Sequence, residues 1–257
     1  MNRRDFIVGA ISGATATAIT TSAHPAHAKP RPTGAPGVTA EDLTDKMLAA
    51  VNASAWTATN AITWKFGRLT HTWDRARNFD RIEWGNKTIL IDIASRRGIA
   101  LKRGERIGAR RERKLVEKAW ARWANDSFWL NPVVKARDAG TSRSVVELED
   151  GAQGLLVSYS SGGVTPGDAY LWILDPVTYR PVMWKMWVSV VPIGGVQYTW
   201  EGWEELETGA WISTHHDGAF DVTISSVRGA PSLTELDDSH ARVDPFAELL
   251  AFLEQHE

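Results

Sequence analysis

From Trp56 onward the chain is a succession of short segments in which apolar and polar residues alternate, divided by turn signals. A period of two places every second side chain on one face of an extended strand, and a Gly-Asn or Asp-Gly pair between two such segments reverses the chain. "AITWKFGRL" sets Ile62, Trp64 and Phe66 on one face, and "LTHTWDR" follows Gly67. "RIEWGNKTILIDIA" turns at Gly85-Asn86 and aligns Ile89, Ile91 and Ile93, and "SRRGIALKRGERI" is a further hairpin. Beyond Gly140 the pattern predicts strands at Arg143–Leu148, Gly154–Ser160, Ala169–Leu174, Val182–Val191, Val196–Glu205, Ala210–His215 and Ala219–Val227. Asp150-Gly151, Asp175-Pro176, Gly194-Gly195, Thr208-Gly209 and Asp217-Gly218 stand between them. Such a chain folds as an antiparallel meander.

Three stretches break the period. Thr39 is placed to cap a helix with Glu41 and Asp42 in its first turn, and Leu43, Met47 and Val51 with Ala50 share its inner face. "RERKLVEKAWARWA", residues 111–124, carries Leu115, Val116, Ala119, Trp120 and Trp123 on one side and Arg111, Arg113, Lys114, Lys118 and Arg122 on the other. Asn125-Asp126 is expected to end it, and "SFWLNPVVKARDAG" to be a loop in which Pro132 bars a helix. The tail "DPFAELLAFLEQHE" closes with a short helix. Strands interrupted by few helices predict an α+β architecture with a large curved antiparallel sheet.

"SSGGVTPGDAYLW", residues 160–172, has the glycines of a phosphate cradle. It has Asp168 where such a cradle wants Lys, and the aromatic run after it is a strand rather than a helix. Thr165-Pro166-Gly167-Asp168 supplies the fixed φ and the free glycine of a type II turn, so the loop is a bend.

The first 28 residues begin with paired arginines, continue through a mildly apolar Gly/Ala/Thr run and close on Ala26-His27-Ala28, as an export signal does. Arg3-Arg4 followed by Phe6 resembles a twin-arginine signal, the alternative being an ordinary secretory leader. Residues 29–38, "KPRPTGAPGV", are a mobile Pro/Gly linker, and 39–257 are expected to form a single domain, periplasmic or secreted from a bacterium. No segment approaches the ~20 apolar residues of a transmembrane helix. The chain has no Cys, which excludes disulfides, a lipid-anchored cysteine and iron–sulfur ligation. Its 29 Lys and Arg against 31 Asp and Glu point to neither nucleic acid nor an anionic membrane as partner.

No catalytic set emerges. His215-His216 is the only adjacent pair of metal-ligand type, but neighbours on a strand face opposite ways, and His71, His240 and His256 are scattered. Glu201, Glu204 and Glu205 include two acids, Glu201 and Glu205, on one strand face, the minimum for a glycosidase pair. There is no G-x-S-x-G. No cofactor or metal is implied.

The unusual quantity is 13 Trp, all after the leader. Val182, Trp184, Met186 and Val188 share one strand face, with Lys185 and Trp187 on the other; Tyr170 and Trp172, and Tyr198 and Trp200, are further pairs. Two readings fit: a thick aromatic core, or the wall of a cavity for an acyl chain, with Met183 and Met186 as its adaptable part.

"LWILDPVTYRPVMWKMWV" resembles the segment of the LolA/LolB-like lipoprotein carrier superfamily in which a strand ends in Asp-Pro and a second Pro follows a short turn, here Asp175, Pro176 and Pro181. The order of elements over residues 40–227 is similar too: leader, helix, early strands containing "WKF", helical insertion, long meander. The resemblance implies an unclosed half-barrel with helices packed in its concave face. It also implies a non-catalytic carrier of lipid, lipoprotein or another hydrophobic ligand. Trp64, Phe66, Trp172, Trp184, Met186 and Trp200 are the expected wall. The alternative is an exported hydrolase that stacks sugar rings on these aromatics, with Glu201 or Glu205 as its acid.

Overall fold

The computed structural model describes residues 30–161, 167–189, 193–236 and 244–255. The leader, Thr165 and Pro166 of the loop turn, positions 190–191 at the end of one expected strand, His240 and His256 lie outside the described residues. In chain order, helix α1 spans Val38–Ala50 and α2 Ala53–Ala58. Strands β1 (Ala61–Phe66), β2 (Leu69–Asp74), β3 (Phe79–Trp84), β4 (Lys87–Asp92), β5 (Arg97–Lys102) and β6 (Glu105–Arg106) follow. Helix α3 (Ala109–Leu130) and a 3-10 turn (Val133–Arg137) precede β7 (Thr141–Glu147), β8 (Gln153–Tyr159), β9 (Ala169–Leu174) and β10 (Pro181–Trp187). Then come β11 (Val196–Thr199), β12 (Glu201–Glu205), β13 (Trp211–His216), β14 (Val222–Ala230), α4 (Leu233–Leu236) and α5 (Ala247–Glu254).

The fold is α+β with large, open antiparallel sheets. Nine strands run in the order β12-β13-β14-β1-β2-β3-β4-β5-β6 and five in the order β11-β10-β9-β8-β7. The span 39–257, expected as one domain, holds two compact units, one around each sheet. The five-stranded sheet belongs with the described residues up to Ala50, with 135–200 and with 217–221; the nine-stranded sheet belongs with 51–134, 201–216 and 222 onward.

In the nine-stranded unit, cross-strand register lines up Trp64, His71, Ile82, Ile89 and Ala100 on one face. Ile82, Ile89 and Ala100 of that row, with Leu69, Ile91 and Ile93, are buried against Val116 and Ala119 of α3. On the opposite face Phe79, Leu90 and Ile99 pack with Phe246 and Leu249, and Ala61 and Ala230 with Leu236. A strand whose two sets of side chains both find a helix carries an unbroken apolar run, as "KTILID" does at Ile89, Leu90 and Ile91.

In the five-stranded unit, the linker is not free: Ala35 exchanges both backbone hydrogen bonds with Val145 on β7. Helix α1 starts one residue before the expected cap, with the Gly37 carbonyl accepting from the Ala40 and Glu41 amides. Leu43 and Met47 face inward as expected, and the helix packs on β7 and β8.

Two expectations are corrected. Helix α3 does not stop at Asn125-Asp126 but continues through the supposed loop to Leu130. Both residues are buried, Asn125 Nδ2 donating to Asp126 Oδ1 at 2.9 Å and Asp126 Oδ2 meeting His71 Nε2, so neither side chain is used as a backbone cap. The helix ends where Pro132 forces Asn131 to φ −157°, ψ 75°. The single strand expected over Val196–Glu205 is two, β11 and β12, in different sheets. The break falls at Trp200, whose ring is buried; just inside β12, Gly202 takes φ +60° and its missing Cβ would sit 2.6 Å from Thr214 Oγ1, so a side chain there would meet both strain and a clash.

Of the loop after β8, positions 162–166 lie outside the described residues. The loop joins antiparallel β8 and β9, Gly167 takes φ +99°, and Asp168 is buried, accepting from the Ser189 amide at 2.9 Å.

Candidate functional site

Two clusters carry side chains that a plain core would not need. The first is on the five-stranded sheet. Register sets Leu155, Trp172, Trp184 and Tyr198 in one row, and Val157, Tyr170, Met186 and Val196 in the next row on the same face. Trp184 sits 4.7 Å from Tyr170, 5.0 Å from Trp172 and 4.9 Å from Trp200, centroid to centroid, and Trp200 is 5.1 Å from Trp172. Tilted and edge-on contacts at these distances are the favourable ones for aromatic quadrupoles. All three indoles are at most 2% exposed.

Arg143 projects from the same face, since it pairs across the sheet with Val157. Its guanidinium reaches Glu41 of α1 at 2.9 Å, so α1 lies over the face that carries the rings. Arg137 also binds Glu41 and Asp45, at 2.8 and 2.6 Å. Beyond the apolar contacts of Leu43 and Met47, the helix is held by partly exposed ion pairs, each worth roughly 0–1 kcal/mol.

Of the six residues expected to form the wall, Trp172, Trp184, Met186 and Trp200 are therefore brought together. Trp64 and Phe66 stand on β1 of the nine-stranded sheet. Trp64 is buried and stacked on His71 with centroids 4.4 Å apart, and Phe66 is half-buried. Two assignments of facing are corrected. Val182 is out of phase with Trp184 and 43% exposed, because the register shifts between Pro181 and Met183 as at a β-bulge. Met183 pairs with Ile173 and Thr199, in the rows that alternate with the rings.

The second cluster was not anticipated. His71, fully buried on β2, contacts Asp80 Oδ2 of β3 through Nδ1 at 2.8 Å and Asp126 Oδ2 of α3 through Nε2 at 3.2 Å. Burial alone pulls the imidazole pKa down. The Asp80 charge and the hydrogen bonds to Asp126 and Asp80 outweigh it and raise the pKa to about 9. Burial pushes the Asp80 carboxyl up, and the His71 charge opposes that. The sign was available in the sequence: His71 alternates with Leu69 and Trp73, and Asp80 with Ile82 and Trp84, so both polar residues occupy the apolar phase of their strands. One carboxylate takes each ring nitrogen, so the three groups do not converge on a point. Among the described residues no cluster of three or more His, Cys, Asp or Glu is placed to hold a metal.

A raised imidazole pKa stabilises the fold while His71 is protonated in both states, and the contribution disappears as pH rises through the folded value. Stability is therefore expected to be greatest near pH 6 and to fall by about 3 kcal/mol between pH 6.5 and 9. Denaturant midpoints at pH 6, 7.5 and 9.5 measure this. A His71→Gln chain should show a much flatter profile, and a flat wild-type profile would refute the assignment.

The other candidates are dispersed. Glu201, Glu204 and Glu205 are all exposed on β12. His216 is buried with its ring 5.4 Å from that of Trp129, and His215 is half-exposed, pointing to the other face. Arg122, expected on the outer side of α3, is half-buried, 5.8 Å from the Trp84 ring, and its pKa is lowered by that burial.

No family model and no curated protein matches the chain. Among solved structures it is similar to a DUF1329 family protein from Desulfovibrio piger, at 9% identity and a TM-score of 0.38 over 78% of this chain and 98% of that one. It is also similar to an outer membrane lipoprotein-sorting protein domain from Vibrio parahaemolyticus, at 10% identity and a TM-score of 0.32 over 76% of this chain and 95% of that one.

Proposed function

We propose that the chain is a non-catalytic, exported binder of an apolar molecule such as an acyl chain, and that its site is the ring face of the five-stranded sheet. The observation that supports this reading is the concentration of Tyr170, Trp172, Trp184 and Trp200 on one face beneath a single helix. A sheet of five short strands does not need three neighbouring indoles to be stable. Rings of this size offer large apolar area at low cost in side-chain entropy, and Met186 beside them adapts its shape. Helix α1 is the element that yields: it is seated through Ala40, Leu43, Thr44 and Met47 alone, and its ion pairs at Arg137 and Arg143 are weak enough to reform on each cycle. A ligand enters by taking the place of Leu43 and Met47 over the rings. The leader and its twin-arginine motif carry the chain out of the bacterial cytoplasm, into the periplasm or beyond.

Titration with a fluorescent fatty acid tests this. The wild-type chain should bind, and Met186→Gln should weaken binding roughly tenfold while costing the fold no more than about 2 kcal/mol, since one polar group is placed at the rim of an apolar wall. Absence of binding by the wild type would end the carrier reading. A soluble oligosaccharide that shifts the tryptophan emission instead would favour sugar stacking.

A further inference from the structure

We infer that the first half of α3 is a docking face for an anionic lipid bilayer. Residues 102–118 hold eight Lys and Arg against three Glu, in a chain whose formal net charge is −2. One of the three acids is spent internally: Glu112 turns inward, receives the Arg106 guanidinium at 2.9 and 2.6 Å, and accepts the Ala100 amide. Arg110, Arg111, Arg113, Lys114 and Lys118 are all exposed, and among the described residues none of them has an ion-pair partner. At 100° per residue they occupy the outer arc of the helix, with Glu117 the one acid among them. Lys102 and Arg103, at the β5–β6 turn just before the helix, are exposed too.

This arrangement works against the helix that bears it. Cations in a first turn oppose the helix dipole, and Gly108 supplies no side-chain cap. Five exposed cations without an ion-pair partner among the described residues leave this arc able to take an external anion. The shape of the patch decides which one. The tryptophans of α3 face the sheet, Trp120 donating to the Ile93 carbonyl at 3.0 Å, so the basic arc presents no ring on which a base could stack. It is a convex line of flexible cations with buried apolar residues behind it, which suits a plane of phospholipid headgroups. The inference stands independently of the apolar site.

The test is co-sedimentation of the full chain with vesicles of phosphatidylcholine, with and without about one-third phosphatidylglycerol. Binding is expected on the anionic vesicles alone and should fall steeply as salt rises from 50 to 250 mM, because screening shortens the reach of each charge. Arg110→Gln with Lys114→Gln should lower the partition coefficient roughly twentyfold and leave the thermal midpoint at or above that of the wild type. The matched pair Lys65→Gln with Arg68→Gln, exposed elsewhere on the nine-stranded unit, should change partition by less than about threefold. Equal binding to neutral vesicles, equal loss in both pairs, a lowered midpoint in the first pair, or tighter binding to duplex DNA at the same salt would each overturn the assignment.

Discussion

His71→Ala is expected to cost about 3–5 kcal/mol of stability at neutral pH, which for a chain of this size lowers the thermal midpoint by roughly 10 °C or more. The imidazole is fully buried between Asp80 and Asp126, and its removal leaves two carboxylates in a low-dielectric interior without the cation that bridged them, Asp126 keeping only the weaker attraction of Arg122. The stack on Trp64 is lost with it. The two contributions separate in a second chain. Adding Asp126→Asn to His71→Ala removes one of the stranded charges and should recover part of the loss, although it restores no volume. If the double variant were less stable than the single one, packing around Trp64 and not charge would explain the site. Paired denaturation curves at pH 7 decide between them.

Trp184→Ala is the second large effect. Its ring touches Tyr170, Trp172 and Trp200 at once and is inaccessible to solvent, so truncation should cost about 3–5 kcal/mol. Trp184→Phe keeps an aromatic ring at the centre of the cluster and should cost only about 1–2 kcal/mol. A loss below about 1 kcal/mol for the alanine variant, with fatty-acid binding abolished, would mean that the neighbouring rings and α1 close over the gap without strain. In that case the indole serves the ligand more than the fold.

Period-two alternation was enough to place most strands within a residue or two, because an antiparallel strand with a covered face has no freedom in phase. Ala169–Leu174 and its partner pair as the pattern requires, across a turn in which Asp175 accepts from the Val177 and Thr178 amides and from the Thr178 hydroxyl. What escaped the sequence reading has a common cause. Asn125 and Asp126 look like helix terminators until a histidine 55 residues away is brought to Asp126. Val196, Tyr198 and Trp200 alternate but the phase slips to Trp203 across Gly202, and only the destination of the Trp200 ring shows that the slip is a change of sheet. The ring cluster was visible as composition and alternation. Its division, with Trp64 and Phe66 on a different sheet from Trp172, Trp184 and Trp200, depends on pairings that local pattern does not encode.

The place of β1 has a kinetic consequence. It is an interior strand of the nine-stranded sheet, and one of its two neighbours is β14, where Ala61 pairs with Ala230, about 170 residues further on. At ribosomal rates of ~5–20 residues per second, β1–β5 emerge as a finished meander roughly 6–25 seconds before β14 is complete. Throughout that interval one edge of β1 offers unpaired amides and carbonyls to any strand it meets, including the same edge of another nascent chain. Yield during expression is thus governed by how long that edge waits, and slower translation or crowded ribosomes should raise aggregation without any change in the stability of the finished protein.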